Sequence, residues 1–371
     1  MTSGVRYRVR PLGVPFSRQI ASPTYRFTKL FTLLCEVEDG DGATGCTGLW
    51  FASEGQSKVA LEALRYLAPV ASAHESPHAV SRALRREINF LGYKGVTVIA
   101  MSAFEMALQD LLLRREGRAL GDAMSCPRVP AYWSGFFLND SIDDWVAEAE
   151  TATRAGFWAF KARVGRSTLT EDVQRVQRLR EVLAPASVLM LDAHQAWDVE
   201  TAVEAAALFE PNRITWLEDP VIHNDYRGLA EVVSRSAIPV ASGENEYLHE
   251  GFDQLMDSGL RYLLVDLERA GGIVEWTAIG DAARDRGRIL TPHLFPHVAV
   301  GLCSQLRQDE SWLEYVDWWD PLMAAPIKFD DGYAVVPDTP GTGFTPDSVA
   351  VERFALAPWE ELHDARHERP N

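Results

Sequence analysis

Short apolar runs alternate with stretches of helical periodicity from about residue 130 onward. This alternation is typical of βα units arranged around a parallel sheet. We predict strands at 132–137, 158–164, 188–193, 214–218, 239–243, 262–267, 288–294 and 312–316. Eight βα units over roughly 200 residues favour an α/β fold with a (β/α)8 TIM-type barrel. A doubly wound sheet is less suitable because the sequence lacks the Gly-rich first turn of that fold.

The first part of the chain has a different pattern. Two β-rich segments, TYRFTKLFTLLCEVE and ATGCTGLW, flank DGDG at 39–42, which predicts a hairpin. Apolar residues at helical spacing follow over 55–115. The Gly-rich turn is not a phosphate loop, because no helix start follows it. We therefore predict an N-terminal α+β domain over 1–125 and a barrel from residue 126.

Composition and charge narrow the possible partners and location. The 371 residues include 53 acidic and 36 basic side chains, a formal net charge of -17. Such a surface repels phosphate, so neither nucleic acid nor a membrane is expected as a partner. No stretch approaches about 18 consecutive apolar residues and no signal-peptide core is present, so the expected location is cytoplasmic. The four cysteines lack CxxC spacing, which argues against a disulfide framework or a zinc site.

Seven polar residues lie within or at the ends of the predicted strands, mostly toward the C-terminal side. Their separations are 31, 26, 26, 22, 27 and 21 residues, each about the length of one βα unit. Because the carboxyl ends of barrel strands meet at one mouth, we expect these side chains to converge there. The seven are Lys161, Asp192, Glu218, Glu244, Asp266, His293 and Glu314.

Three of these residues, Asp192, Glu218 and Glu244, are carboxylates on consecutive strands. Clustered carboxylates do not all stay ionised without a cation to offset their repulsion. Their oxygen atoms favour Mg²⁺, with Mn²⁺ tolerated, over zinc. His194 follows Asp192 by two positions, which places both on one face of a strand. A further metal ligand, a proton relay and a satisfied pair all remain open for His194.

Asp266 and His293 fall on the sixth and seventh predicted strands. A neighbouring carboxylate fixes the tautomer of an imidazole and raises its basicity, so His293 is a candidate general base oriented by Asp266. The alternative is a structural pair at the edge of the core. His297 competes for the role of base but ranks second, because it should lie on the following loop or helix.

Together these motifs resemble the enolase superfamily in its mandelate racemase branch. The similarity is carried by FKARVG, LDAH, WLEDP, SGEN, VDLERAGGI, TPH and WLEY on the second to eighth strands, and by VPDTPGTGFTPD near the C-terminus. It covers essentially the whole chain. The resemblance implies a barrel over 126–325, an N-terminal domain that caps its mouth, and a C-terminal segment, 326–371, that returns to the capping domain.

The resemblance also implies roles for individual residues. The three carboxylates would bind Mg²⁺, which chelates the substrate carboxylate and stabilises the enolate formed from it. His293, oriented by Asp266, would remove the proton α to that carboxylate. Glu314 would lie near the substrate carboxylate and, if protonated, donate to its developing charge. The alternative for Glu314 is an unpaired surface acid.

Two positions depart from the family pattern, and they reduce the number of reactions that the site is expected to catalyse. Where the family has Lys-x-Lys, this chain has Lys161 and Arg163. An arginine is always protonated, which makes Arg163 a poor base and a good carboxylate anchor, while Lys161 would polarise the substrate or act as a base. Where the mandelate racemase pattern is Asp-x-Asn, this chain has Asp192 and His194. Asp-x-His is similar to several acid-sugar dehydratases, in which the histidine is the acid for the departing hydroxyl.

The resemblance and these departures predict a Mg²⁺-dependent dehydratase that converts a sugar acid, an aldonate or an aldarate, to a 2-keto-3-deoxy acid. No organic cofactor is expected. The alternative is a racemase, epimerase or lactone cycloisomerase of the same branch, in which His194 is a second base. A further alternative is a non-catalytic relative that binds metal and ligand without turnover.

The expected partner is a small anionic carboxylate substrate. Its distal end is expected to contact the segments PFSRQIASPTYR and GLWFASEG and the first predicted barrel strand. The candidate substrate-binding residues are Arg18, Arg26, Trp50, Tyr132 and Trp133 together with Lys161 and Arg163. The resemblance also implies a homo-oligomer, either a dimer or an octamer.

Overall fold

The structure, a computed structural model, describes residues 4–21, 26–124, 126–166, 168–306 and 311–362, without the side chains of Ser17 and Arg18. The strands are β1 (Arg6–Ala21), β2 (Arg26–Glu38), β3 (Thr44–Phe51), β4 (Arg128–Ser134), β5 (Ala159–Arg163), β6 (Val188–Asp192), β7 (Ile214–Glu218), β8 (Val240–Ser242), β9 (Tyr262–Asp266), β10 (Ile289–His293), β11 (Leu313–Tyr315), β12 (Phe329–Asp330), β13 (Tyr333–Val335) and β14 (Glu360–Leu362). The α-helices are α1 (Glu54–Ala71), α2 (Pro77–Glu87), α3 (Val96–Arg115), α4 (Ile142–Arg154), α5 (Leu169–Val182), α6 (Val199–Phe209), α7 (Tyr226–Arg235), α8 (Leu248–Asp257), α9 (Leu267–Ala270), α10 (Ile273–Asp285), α11 (Pro296–Cys303) and α12 (Ser348–Phe354). Short 3-10 helices cover Ile88–Phe90, Leu120–Ala123, Glu210–Asn212 and Asp320–Leu322.

The N-terminal sheet is antiparallel, with the strand order β14-β1-β2-β3. The predicted hairpin at 39–42 joins β2 to β3. Asp39 Oδ1 accepts hydrogen bonds from the backbone N–H groups of Asp41 and Ala43, at 2.9 and 3.0 Å, which fixes the turn. The long strand β1 was not anticipated from the sequence pattern, and it pairs with β2 along most of its length.

Helix α3 is the core helix of the N-terminal part. It packs so closely on β3 that a Cβ atom at Gly45 would lie 2.2 Å from the backbone nitrogen of Leu111, so this contact requires glycine. In the described part of the chain, α3 is the one helix long and apolar enough to cross a membrane, and 72% of its apolar window is buried inside the protein. That burial is the pattern of a core helix.

The second sheet contains eight parallel strands, β4 to β11, and each predicted run overlaps one of them. They are neighbours in chain order from β4 to β10, and β11 lies beside β4. Between β10 and β11, Thr291 Oγ1 donates to the Trp312 carbonyl at 3.0 Å and Ser311 Oγ donates to the Leu290 carbonyl at 2.7 Å. The predicted α/β class is therefore confirmed.

The alternation of side chains along these strands determines which face of the sheet each polar residue occupies. On β5, Phe160 and Ala162 pack in the core that contains the flanking helices, whereas Lys161 and Arg163 share the opposite face. On that opposite face an apolar layer crosses six strands: Tyr132, Ala159, Met190, Trp216, Ala241, Tyr262 and Leu264. Polar side chains two residues beyond this layer therefore lie together at the carboxyl ends of the strands.

The chain after β11 contacts both sheets. Strand β13 pairs antiparallel with β4, and β14 later pairs with β1 at the edge of the N-terminal sheet. Arg10 and Glu352 add a two-pronged salt bridge, with N–O distances of 2.5 and 2.9 Å. The segment 326–371, predicted to return to the N-terminal domain, thus first joins the parallel sheet, and its residues after 362 lie outside the described part.

Candidate active site

A cavity of about 500 Å³ lies between the N-terminal part and the carboxyl ends of the parallel strands. This volume is in the range of small-molecule sites. Predicted site residues that line the cavity are Trp50, Arg163, Asp192, His194, Glu244 and His293. Four others are buried beneath the lining: Lys161, Glu218, Asp266 and Glu314. The strand-end residues predicted to converge thus lie in one region, where some line the cavity and the others are buried beneath it.

His293 and Asp266 form a hydrogen-bonded pair. They are register partners on β10 and β9, and His293 Nδ1 lies 2.7 Å from Asp266 Oδ2. Asp266 Oδ1 accepts the backbone N–H groups of Glu268 and Arg269, at 2.9 and 3.1 Å, so its orientation is fixed. Burial lowers the pKa of His293, but the charges of Glu244 and Asp266 outweigh burial and raise that pKa above its ordinary value.

His194 reaches the cavity through a turn and not through a strand. Strand β6 ends at Asp192, and His194 and Gln195 have φ values of 44° and 64°. The backbone N–H of His194 donates to Asp192 Oδ1 at 2.8 Å, which stabilises this left-handed turn. The predicted strand end at residue 193 is therefore one residue too long, although Asp192 and His194 do line one cavity.

Glu244 lies between the two imidazoles. Its Oε2 is 3.3 Å from His293 Nε2, and its Oε1 is 3.5 Å from His194 Nδ1. Burial raises the pKa of Glu244, but the two imidazoles and the guanidinium of Arg269 outweigh it and lower that pKa to about 2. One ionised carboxylate thus holds two imidazoles at the wall of the cavity.

Glu218 lies between Asp192 and Glu244 along the sheet. It is the register partner of Asp192 and is fully buried. Burial raises its pKa to about 8; the charges of Asp192 and Glu244 act in the same direction, and Lys161 opposes them. This is the electrostatic consequence of crowding carboxylates that the sequence predicts.

The donor chemistry of these three carboxylates fits a hard divalent cation, because all donors are oxygen and their negative charges repel one another. Within the described residues, no three His, Cys, Asp or Glu side chains are already gathered at metal-binding spacing. Each carboxylate instead contacts a nitrogen group of the protein: Glu218 contacts Lys161, Asp192 contacts Arg163, and Glu244 contacts the two imidazoles. Metal binding therefore requires these side chains to turn from their present partners.

Lys161 and Glu314 form the deeper layer. Lys161 Nζ lies 2.7 Å from Glu218 and 2.9 Å from Glu314, and its side chain is 1% exposed. Glu314 also accepts Ser134 Oγ at 2.6 Å and the Leu294 N–H at 3.0 Å. Burial raises the pKa of Glu314, but Lys161 and nearby cations outweigh it and hold that pKa well below its usual range. In this arrangement Glu314 accepts hydrogen bonds in its ionised form, and the alternative of an unpaired surface acid is wrong because Glu314 is buried and paired with Lys161.

Arg163 is the cation of β5 that reaches the cavity. Its Nε lies 3.4 Å from Asp192 Oδ2, and Nη1 donates to Ser134 Oγ at 2.8 Å. The ring of Phe137 lies beneath the guanidinium, 5.3 Å away. These contacts fix Arg163 at the wall with part of its guanidinium accessible from the cavity, as an anchor for a carboxylate requires.

Several predicted substrate contacts do not line the cavity. Tyr132 belongs to the apolar layer below Lys161 and is fully buried. Trp133 points to the other face of β4, where its Nε1 donates to Glu148 at 2.8 Å. Both expectations fail because the alternation of β4 directs these side chains elsewhere. Arg26 is exposed and absent from the lining, and the side chain of Arg18 lies outside the described residues.

His297, the second candidate for a base, is on α11, buried and away from the cavity. Burial lowers its pKa to about 4. It therefore does not compete with His293 for a substrate proton.

Other cavity residues were missed at the sequence level. Glu268 and Arg269 follow Asp266 within VDLERAGGI, and this proximity was the available signal. Glu268 accepts the backbone N–H of Trp50 at 2.5 Å, which joins the two parts of the cavity wall. Phe137 and Trp318 come from loops after β4 and β11, and no periodicity marks them.

The chain is similar to a known family and to several characterised proteins. The family described as enolase C-terminal domain-like, MR_MLE_C, matches residues 144–350, more than half of the chain. The L-talarate/galactarate dehydratase of Salmonella typhimurium is 32% identical over 259 residues, 69% of this chain and 65% of that protein. The match thus spans slightly less than two thirds of that relative.

Two further similarities cover nearly the whole chain. The 3,6-anhydro-alpha-L-galactonate cycloisomerase of Streptomyces coelicolor is 29% identical over 358 residues, 95% of this chain and 99% of that protein. The crystal structure of L-talarate dehydratase from Polaromonas sp. JS666, complexed with Mg and L-glucarate, has a TM-score of 0.86 and 27% identity, and the match covers 97% of this chain and 98% of that one. The parallel strands, their terminal motifs and these matches show that the chain belongs to the enolase superfamily, with relatives among the acid-sugar dehydratases of the mandelate racemase branch.

Proposed function

We propose that this protein is a Mg²⁺-dependent dehydratase of a sugar acid that forms a 2-keto-3-deoxy acid. The observation that carries the proposal is the pair of imidazoles, His293 and His194, on either side of Glu244 at the wall of one cavity. His293 is hydrogen-bonded to Asp266 and contacts one oxygen of Glu244, whereas His194 contacts the other oxygen of Glu244. Such an asymmetric pair suits a base and an acid that act on neighbouring carbon atoms.

His293 is the base in this proposal. Its hydrogen bond to Asp266 places the proton on Nδ1 and leaves Nε2, on the cavity side, to accept the proton α to the substrate carboxylate. Asp266 then stabilises the imidazolium that forms. The fixed position of Asp266 keeps the base oriented throughout.

His194 is the acid. Its Nδ1 lies 3.5 Å from Glu244 Oε1, at the wall of the cavity. The proton passes to the 3-hydroxyl of the substrate, the C3–O bond breaks, and water leaves. The electron pair from the broken C2–H bond forms the C2–C3 double bond, and the resulting enol tautomerises to the 2-keto acid.

Asp192, Glu218 and Glu244 would hold the metal, and Mg²⁺ when bound supplies positive charge that stabilises the negative charge developing at the substrate carboxylate. Arg163 anchors the same carboxylate from the wall of the cavity. Lys161, held between Glu218 and Glu314 beneath the residues that line the cavity, contributes positive charge from below. We also propose that β4 to β11 close into a (β/α)8 barrel over 126–325, capped by 1–125, because β11 pairs with β4 and side chains link β10 to β11.

An isomerase is the second candidate function. The two imidazoles facing one cavity favour it also, if His194 acts as a base on the opposite face of the substrate. The similarity to a cycloisomerase over 95% of the chain supports this alternative.

The test is a keto-acid assay of the purified protein with Mg²⁺ against aldonic and aldaric acids, run in D₂O with mass analysis of recovered substrate. We expect keto acid with at least one substrate, and a loss of about 10²–10⁴-fold in kcat for His293→Asn and for His194→Asn. His78→Asn, at an exposed site on α2, is the matched control and should retain activity.

The outcomes separate the candidate functions. Deuterium in intact substrate without keto acid supports the isomerase and contradicts dehydration. Neither product with any acid supports a non-catalytic relative. Keto acid formed equally by His194→Asn would remove His194 from the role of acid.

A further inference from the structure

Glu268 is a cavity residue to which the proposed mechanism assigns no role. It follows β9 as part of α9, lines the cavity and is 2% exposed. Its Oε1 accepts the backbone N–H of Trp50 at 2.5 Å. Its own backbone N–H donates to Asp266 Oδ1 at 2.9 Å. Glu268 therefore connects the carboxylate that orients His293 with the N-terminal part of the cavity wall.

The place of Glu268 in the cavity corresponds to the part of the substrate beyond C3. In the proposed reaction His293 removes the C2 proton at the strand ends, whereas Trp50 belongs to β3 in the N-terminal part of the wall. Glu268 is tied to Asp266 on one side and to Trp50 on the other. A substrate chain that extends from His293 toward Trp50 therefore passes the Glu268 carboxyl.

Arg269 holds the same turn in place. Its Nη1 donates to the Glu244 carbonyl at 2.8 Å and lies 3.5 Å from Asp266 Oδ2. Its guanidinium lies 5.9 Å from the centroid of the Trp50 ring. Contacts from the strand ends and from the N-terminal part thus fix the position of Glu268, as recognition of a single substrate group requires.

The surroundings of Glu268 favour a neutral carboxyl. Burial and the charge of Asp266 raise the pKa of Glu268 well above its ordinary value, and the Trp50 N–H and Arg269 oppose them. A carboxylic acid accepts through one oxygen and donates through the other, and the Trp50 N–H uses the accepting oxygen. A hydroxyl group suits either protonation state of Glu268, because a hydroxyl both accepts and donates.

We propose, on the basis of the dehydratase function above, that Glu268 is a specificity-determining residue that binds a hydroxyl group of the substrate beyond C3. The substrate is then a polyhydroxy acid with at least one hydroxyl in addition to those at C2 and C3. An analogue without that hydroxyl leaves a buried polar group of the protein unpaired, and this cost is the source of the selectivity.

The experiment uses six-carbon aldonates in each available configuration together with their 4-, 5- and 6-deoxy analogues, all of which keep the C2 proton and the 3-hydroxyl. The Mg²⁺-loaded protein is assayed for keto acid and for α-deuterium exchange, and affinity is measured by titration calorimetry with His293→Asn. We expect one deoxy analogue to lose at least about tenfold in kcat/KM and in affinity relative to its parent aldonate.

Variants at Glu268 identify the group responsible for this loss. Glu268→Met removes the hydrogen bonds and keeps most of the volume, so kcat/KM for the parent acid and for that analogue should agree within about threefold. Glu268→Gln still accepts the Trp50 N–H and bonds a hydroxyl, so it should keep the preference. Glu268→Leu supplies the same readout if Glu268→Met does not fold. Glu62→Met, at a 71% exposed position on α1, is the matched control and should keep the preference.

The ratio of the two acids separates recognition from a structural role. A structural role alone lowers kcat/KM for both acids by the same factor and leaves their ratio unchanged. A preference that persists in Glu268→Met, or equal treatment of all deoxy analogues by the unaltered protein, overturns this inference and leaves the dehydratase standing. A preference lost in Glu268→Met but seen in binding or deuterium exchange alone, without keto acid from any acid, supports this inference and overturns the dehydratase. Failure of every acid to bind overturns both.

Discussion

Replacing Lys161 by methionine tests the most buried electrostatic contact of the site. Lys161 Nζ lies 2.7 Å from Glu218 and 2.9 Å from Glu314, and the three side chains are at most 1% exposed. Methionine keeps much of the volume of lysine and removes the charge. The ionised Glu314 then remains buried without its cation, and Glu218 loses a hydrogen-bond donor, so we expect a large loss of stability.

The magnitude follows from these distances. At an effective dielectric constant of about 20, the contact with the ionised Glu314 corresponds to about 6 kcal/mol of Coulomb attraction. Desolvation of the three groups offsets much of this attraction. Removing one partner of a buried pair costs about 3–5 kcal/mol, which is our expectation for Lys161→Met at pH 7.

The assay is urea unfolding of the metal-free protein, followed by circular dichroism. Lys58→Met is the matched control, because Lys58 is 70% exposed and pairs with Glu54 on the surface of α1. Its free energy of unfolding should change by no more than about 0.5 kcal/mol. Adding Glu314→Gln to Lys161→Met should restore on the order of 1–2 kcal/mol, because one unpaired charge is removed.

The pH dependence supplies a second check. Without Lys161, the folded-state pKa of Glu314 rises above its unfolded value, so the folded variant binds more protons and its deficit shrinks as pH falls from 7 to 5. Equal unfolding free energies for Lys161→Met and Lys58→Met would refute the reasoning. Lys161 would then not be the cation that offsets the buried charge of Glu314.

Three further predictions follow from the same contacts. Asp266→Asn should lower kcat on the order of 10²–10⁴-fold and change the pH–rate profile, because the orienting partner of His293 is lost; an unchanged profile in steady-state assays would contradict this role. Mg²⁺ at about 100 times its Kd should stabilise the protein by about 2.7 kcal/mol in thermal unfolding, and Asp192→Asn should abolish the shift while NaCl of equal ionic strength produces none. The pKa of His297 is about 4 when folded, so the folded state binds fewer protons than the unfolded chain below pH 6.5 and stability falls from there toward pH 4. His297→Gln should remove about 2 kcal/mol of that loss at pH 5, and parallel stability curves for the two proteins would disprove it.

Much of the site could be predicted because its residues follow the strand periodicity. Asp192, Glu218, Asp266 and His293 each end a strand on the face that carries the inner apolar layer. A βα unit has a characteristic length, so residues spaced by that length return to the same edge of the sheet. Local sequence encodes both facts.

The depth of each side chain was not evident from the pattern. Lys161 and Arg163 share one face of β5, but the two-residue difference along the strand places Lys161 among buried carboxylates and Arg163 at the cavity. The same effect places Tyr132 in the apolar layer. Which layer of side chains forms the floor of the cavity depends on how far the neighbouring strands extend.

The sequence by itself determined the α/β class, the eight strands and the set of ionisable groups at their ends, because the spacing of apolar and polar residues encodes secondary structure and its buried face. Only the tertiary structure decided which cation pairs with which carboxylate, and that Trp50, Phe27 and Trp318 together form an apolar wall opposite them. These residues are far apart along the chain. Their contact depends on how the N-terminal part packs over the strand ends, and no local period records that packing.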